Sequence, residues 1–184
     1  MQRNEPLSQA KQLLYEHFGY SSFRGAQETL ISAILSGKDA LGIMPTGAGK
    51  SICYQIPGLM LPGITLVVSP LISLMQDQVR ALKAAGIAGA YLNSSLSYKQ
   101  YVRALDNARK GMYKIIYVAP ERLVTGEFQS FAASVPISLV AVDEAHCVSQ
   151  WGHDFRPSYM NIAPFVEMLP TRPVLAAFTA TATP

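Results

Sequence analysis

The chain has 184 residues, of which 49% are hydrophobic and 15% charged, and its formal net charge is +3. That length fits one domain, and that composition excludes a disordered chain. The charge agrees with a nucleic-acid ligand but is too small to argue for one, so such a function has to come from motifs. No apolar run reaches the roughly 18 residues that cross a bilayer. Met1-Gln2-Arg3-Asn4-Glu5 leads into no apolar signal core, so a cytosolic protein without a membrane partner is expected. Cys53 and Cys147 form no Cys-x-x-Cys pair, and reduced core thiols are expected in place of a bridge or a zinc site.

Residues 18–27 read, on their own, as a loop and a helix start. A β-type run at 40–44 then leads into Pro45-Thr46-Gly47-Ala48-Gly49-Lys50-Ser51, which opens a predicted helix. Glycines there let the backbone curl until successive N–H groups converge on phosphate oxygens. Lys50 can reach the β and γ phosphates of a nucleotide, and the Ser51 hydroxyl can ligate Mg²⁺. The strict phosphate-loop pattern has glycine at position 44, where this chain has Met44.

Further candidate strands follow at 65–69, 89–92, 114–118, 138–142 and 174–178. Most are unbroken apolar runs, as in strands covered on both faces. Between them, Leu71, Met75, Val79 and Leu82 recur at helical spacing, as do Tyr98, Tyr101, Val102, Leu105 and Ala108. The second of these helices has clear ends. Ser97 with Gln100 is a capping-box pattern, Arg109 and Lys110 suit the negative C-terminal end, and Gly111 suits a left-handed stop. This alternation predicts an α/β fold of three layers, with a mostly parallel central sheet between helices. Ligands of such sheets bind at the carboxyl ends of the strands.

The run at 139–142 delivers Asp143-Glu144-Ala145-His146 at such an end. Two adjacent carboxylates there suit metal-assisted phosphate chemistry. Asp143 would hold Mg²⁺ and Glu144 would position and deprotonate the attacking water. His146 reads as a sensor of nucleotide state.

The phosphate loop and the Asp-Glu-Ala-His box together resemble those of superfamily 2 helicases, with their RecA-like P-loop fold. In that superfamily the first glycine of the loop is often replaced. Further segments, spanning the chain from about Phe18 to Pro184, narrow the resemblance to RecQ-type DNA helicases. Phe18-Gly19-Tyr20-Ser21-Ser22-Phe23-Arg24-Gly25-Ala26-Gln27 resembles the adenine-recognition motif, which implies that Tyr20 stacks on the base beside Arg24 and Gln27. The segments holding Pro70 and Ser73, Asn93 and Ser94, and Glu121 and Arg122 resemble loops that touch the phosphodiester backbone of one DNA strand. Trp151, His153, Phe155, Arg156 and Tyr159 sit in the stretch from Ser149 to Tyr159 that resembles the aromatic-rich RecQ loop, which implies strand contacts there. Aromatic faces beside a guanidinium suit unstacked bases. Thr179 and Thr181 lie in a Thr-Ala-Thr repeat that resembles the segment coupling hydrolysis to strand movement.

The resemblance implies an ATP-driven, 3′-to-5′ DNA helicase with ATP and Mg²⁺ as cofactors. It also implies single-stranded or forked DNA as partner, and roles in repair and recombination. Residues 1–184 would be its ATP-binding first lobe, working as a monomer. The sequence stops at Pro184, and nothing within it matches the second lobe, the zinc-binding module or the winged helix of that family, so it reads as one lobe of a larger engine. The rival expectation is a nucleotide- and DNA-binding module with little catalysis by itself. A small-molecule kinase and an RNA helicase fit the motifs less well.

Overall fold

The computed structural model describes residues 5–181. Every apolar run read from the sequence is a strand: β1 (Ala40–Ile43), β2 (Ile64–Val68), β3 (Gly89–Leu92), β4 (Ile115–Val118), β5 (Ile137–Val142) and β6 (Val174–Thr179). All pairings are parallel, in the order β1-β6-β5-β2-β4-β3. Among the described residues seven helices accompany them: α1 (Glu5–Phe18), α2 (Gln27–Leu35), α3 (Lys50–Met60), α4 (Ile72–Ala84), α5 (Tyr98–Arg109), α6 (Gly126–Ser134) and α7 (Ile162–Met168). Short 3₁₀ turns lie at Pro120–Val124, Ala145–Val148 and Pro157–Asn161.

The strand order dictates where the helices go. From β1 through β2 to β3 the chain crosses the sheet in one direction; from β3 through β4 and β5 to β6 it returns. Parallel crossovers are right-handed, so the two directions place their helices on opposite faces. One core accordingly joins α2, α3 and α4 to the sheet through Leu30, Ile34, Tyr54, Met75, Val79 and Leu82. The other joins α5, α6 and α7 through Tyr101, Leu105, Phe128, Phe131 and Phe165. Helix α1 adds a third cluster, with Ala10 and Leu14 on Ile31, Ile52 and Ile56.

Central strands behave as their composition requires: every residue of β2 and β4 is buried. Strand β1 departs from the expectation of cover on both faces. It is an edge strand, and Leu41 and Ile43 are 62% and 54% exposed. Only its Gly42 face is sealed, by Leu30 and Phe178. Helix α5 has the ends its sequence announces. Ser97 Oγ accepts from Gln100 N at 3.3 Å, the Gln100 side chain accepts from Ser97 N at 2.9 Å, and Gly111 has φ +75°. Its apolar stripe is narrower than expected. Tyr98 is exposed and donates to Glu127, whereas Tyr101, Leu105 and Ala108 are buried. Leu71 likewise stands exposed at the start of α4, outside the stripe of Met75, Val79 and Leu82.

No described helix is long and apolar enough to cross a membrane. Both cysteines are free and buried. The two faces of β1 give a stability test. A Cβ on Gly42 would sit 2.8 Å from Phe178 Cδ1 and 3.0 Å from Leu30 Cδ1. Gly42→Val is expected to lose about 1–3 kcal/mol by overpacking, while Leu41→Thr stays within about 0.5 kcal/mol of the parent. Urea unfolding of the two variants checks this.

Candidate nucleotide site

The phosphate loop leaves β1 and curls through two left-handed glycines, Gly47 (φ +83°) and Gly49 (φ +75°), before α3 starts at Lys50. A side chain at either position would be strained. The first-turn N–H groups of α3 and its helix dipole therefore face the loop's concavity, which suits a phosphate. Met44, where the strict motif has glycine, is 4% exposed and turns away from the loop into the core, with its Sδ 3.7 Å from Cys53 Sγ. Phosphate binding asks nothing of that side chain, so glycine is not required there.

Gln27 braces the loop from behind. Its Oε1 accepts from Arg24 N at 2.8 Å, and its Nε2 donates to the carbonyls of Ala48 at 3.3 Å and Gly49 at 3.1 Å. A Cβ on Gly49 would lie 2.5 Å from that nitrogen, so this glycine is also needed for close approach. Both ends of the Gln27 amide are thus engaged, Oε1 within its own segment and Nε2 with the loop, and at 5% exposure it is the most enclosed member of the adenine-type segment. Tyr20 is half exposed, with the Arg24 guanidinium 5.4 Å from its ring centre. Tyr20, Arg24, Gln27, Gly47, Ala48 and Ser51 share the wall of a cavity of about 690 Å³. Thr46 and Lys50 are outside that wall. Phe23 packs with the α1 cluster.

Strand β6 lies between β1 and β5, so the two motif-bearing strand ends stand roughly 10 Å apart at about 4.8 Å per strand. Asp143 N–H donates to Val68 O at 2.9 Å, which carries the β2–β5 ladder to the carboxylate itself. Burial raises the Asp143 pKa from its ordinary value and the neighbouring Glu144 charge raises it further; the Glu144 backbone N–H, Lys50 and His146 pull the other way. The Asp143 Oδ1 accepts from Glu144 N at 3.0 Å.

Glu144 is the only non-glycine residue with positive φ among the described residues (φ 51°, ψ 47°). That conformation costs about 1–3 kcal/mol, and strain of this kind concentrates where a side chain must be aimed. His146 Nδ1 lies 2.9 Å from Thr179 Oγ1 and 3.3 Å from Glu144 Oε2. The Thr179 hydroxyl donates to Thr181 O at 2.8 Å, which leaves its oxygen to accept. The arrangement therefore fits a proton on Nδ1. Nε2 lies 3.7 Å from Asp154 Oδ2. Thr179 is buried, and Thr181 N donates to its hydroxyl at 3.2 Å. Residues 182–184 of the Thr-Ala-Thr segment lie outside the described residues.

The backbone-contacting candidates divide by exposure. Ser73, Ser94 and Glu121 are exposed, and Pro70 is partly so. Asn93 is fully buried: its Oδ1 accepts from Ser95 N and Oγ at 2.9 and 2.6 Å, and its Nδ2 faces Met75 Sδ. The sequence reading gave Asn93 a direct backbone contact; in the structure its side chain shapes the turn that presents Ser94. Arg122 stacks on Tyr101 at 4.4 Å and donates to Asn93 O at 3.3 Å. In the aromatic-rich loop, Trp151 is 98% exposed, His153 and Arg156 are exposed, and Phe155 is partly buried. Tyr159 is different. At 1% exposure it donates its hydroxyl to Asp143 O at 2.7 Å, so it faces the acidic box and not the solvent.

Sequence reading passed over Gln55 and Gln78. Both line the cavity, and both meet the Tyr117 hydroxyl, Gln55 at 3.1 Å and Gln78 at 3.3 Å. A usable signal existed: Gln55 lies four residues after Ser51, on the same helix face.

A glycine turn and paired acids at the reversal point of a parallel sheet define a P-loop nucleotide-binding domain. The profile of the DEAD/DEAH box helicases matches residues 24–184, and the chain belongs to that family. It is 51% identical to the ATP-dependent DNA helicase RecQ of Bacillus subtilis (strain 168) over 97% of its length, and 50% identical to RecQ of Pasteurella multocida over 96%. It spans 30% and 28% of those curated relatives. Among solved structures, helicase Lhr of Mycobacterium smegmatis bound to ssDNA and AMP-PNP superposes with TM-score 0.76 at 23% identity, over 97% of this chain and 26% of that one. A hypothetical ATP-dependent RNA helicase from Sulfolobus tokodaii does so with TM-score 0.72 at 24% identity, over 95% and 50%. At those identities the likeness establishes the RecA-like fold.

The elevated Asp143 pKa has a measurable consequence. The fold disfavours the ionised carboxylate, so stability falls as pH rises from 3.8 through the folded pKa and stays lower above it. Asp143→Asn is therefore expected to raise the melting temperature of the nucleotide-free protein at neutral pH. That advantage should shrink as pH falls towards 3.8. Thermal unfolding across a pH series measures it.

Proposed function

We propose that residues 1–184 form the ATP-binding first lobe of a RecQ-type, 3′-to-5′ DNA helicase that couples ATP hydrolysis to strand translocation and unwinding, in repair and recombination. The observation that carries this reading is the hanging of the fully exposed Trp151 loop directly from the strand that delivers Asp143 and Glu144. Relatives about half identical over nearly the whole chain, named ATP-dependent DNA helicases, support it. Direction of travel and biological role rest on the resemblance. The reading takes the protein as a cytosolic monomer, with single-stranded or forked DNA as its partner.

In this reading Tyr20 and Arg24 receive the adenine, while Gln27 keeps the loop in its phosphate-binding shape. The N–H groups from Gly47 to Ser51 hold the phosphates, and Lys50 neutralises the outer ones. Residues suited to Mg²⁺ are present. Asp143 is poorly compensated by protein charges, and the Ser51 hydroxyl lies in the first turn of α3. This matches an ion that takes one or two carboxylates and completes its shell with phosphate and water. When bound, Mg²⁺ would neutralise charge on the β and γ oxygens. Glu144 orients the attacking water and accepts its proton, with His146 and Thr179 fixing the carboxylate. The arginine of the transition state would come from elsewhere in the longer parent.

Two variants, made in a two-lobed parent, test the assignment. Glu144→Gln keeps nucleotide binding and loses about 10²–10⁴ in turnover. Trp151→Ala keeps basal turnover and weakens single-stranded DNA binding about 5- to 150-fold, the equivalent of one lost base stack. Steady-state ATP hydrolysis with and without DNA, together with anisotropy titrations, reads both. Normal turnover in the first, or undiminished DNA stimulation in the second, removes the residue from its role.

A further inference from the structure

The aromatic-rich loop is a closed excursion. Arg156 N–H donates to Cys147 O at 2.9 Å and pins its two ends together. Directly after that pin, Tyr159 N–H donates to Arg156 O at 2.9 Å, at the start of the 3₁₀ turn Pro157–Asn161. The turn carries the Tyr159 ring inward until its hydroxyl meets Asp143 O at 2.7 Å. That carbonyl belongs to the peptide joining the two acids, whose far side is the left-handed Glu144.

A left-handed glutamate is held against its own backbone preference, so something must fix the peptide on which it turns. Asp143 supplies one restraint through its side chain, which accepts from Glu144 N at 3.0 Å. Tyr159 supplies the other, on the carbonyl. Rotation of this peptide towards ordinary helical geometry breaks both. The phenol is buried, and its hydroxyl points at this carbonyl as donor. No other described side chain donates to this carbonyl.

The geometry points to Tyr159 as a positioning residue that ties the Trp151 loop to the Glu144 backbone, so that a displacement of the loop changes how the carboxylate is aimed. This rests on the helicase reading above. The route is short and continuous: loop, Cys147–Arg156 pin, 3₁₀ turn, phenol, Asp143–Glu144 peptide, carboxylate. Tyr159 is buried against the acidic box, so it acts through Glu144.

Tyr159→Phe in the two-lobed parent retains the ring and removes the hydrogen bond. The expected result is a DNA-stimulated kcat lower by about 3- to 10-fold, with KM for ATP and the Kd for single-stranded DNA unchanged. Nucleotide binding and DNA binding thus persist while the response of one to the other declines. An unchanged kcat and stimulation ratio overturns the proposal. So does a variant that melts far below the parent and loses ATP and DNA affinity together, because Tyr159 is then a packing residue. A parent with no DNA-stimulated hydrolysis at all would instead defeat the helicase reading, which separates the two failures.

Discussion

The insertion of β6 between β1 and β5 governs the chemistry of this molecule. Parallel pairing sets Ile43 beside Thr179 and Val142 beside Ala177. The glycine turn and the paired acids therefore end up two strands apart, with a threonine hydroxyl on the strand between them. The strand order also reverses the chain's direction of travel, which sends α3 to one face and α7 to the other and opens the crevice above.

Charge and strain collect at that crevice. Asp143 is kept ionisable in a place that resists ionisation, opposed by Lys50 and aggravated by Glu144. Glu144 is kept in a backbone conformation it disfavours. Each is a local loss, compensated by two continuous apolar cores that fix the surrounding strands. Positive charge arriving beside Asp143 would relieve the electrostatic part of that burden.

Much of this could be read from the residues alone. All six strands lay in the apolar runs, because buried parallel strands need no alternation to be recognised. The caps of α5 were legible because they are made by side chains three residues apart. The phosphate loop and acidic box were legible because each is a short local motif. What escaped depends on partners distant in sequence. Nothing around Leu41 says that β1 is an edge. Nothing around Asn93 says that its amide turns inward to Ser95 and Met75. Gln27 bonds a loop 21 residues away, and Tyr159 a carbonyl 16 residues back. Their types permit these bonds; only the fold selects them.

The isolation of Trp151 has an optical side. It is the chain's single tryptophan, and at 98% exposure its indole is surrounded by water. All tryptophan emission from this segment therefore reports one place, the tip of the aromatic loop, against a background of dispersed tyrosines. A native reporter dye is built into the surface, and its colour and intensity register whatever comes to rest on that ring.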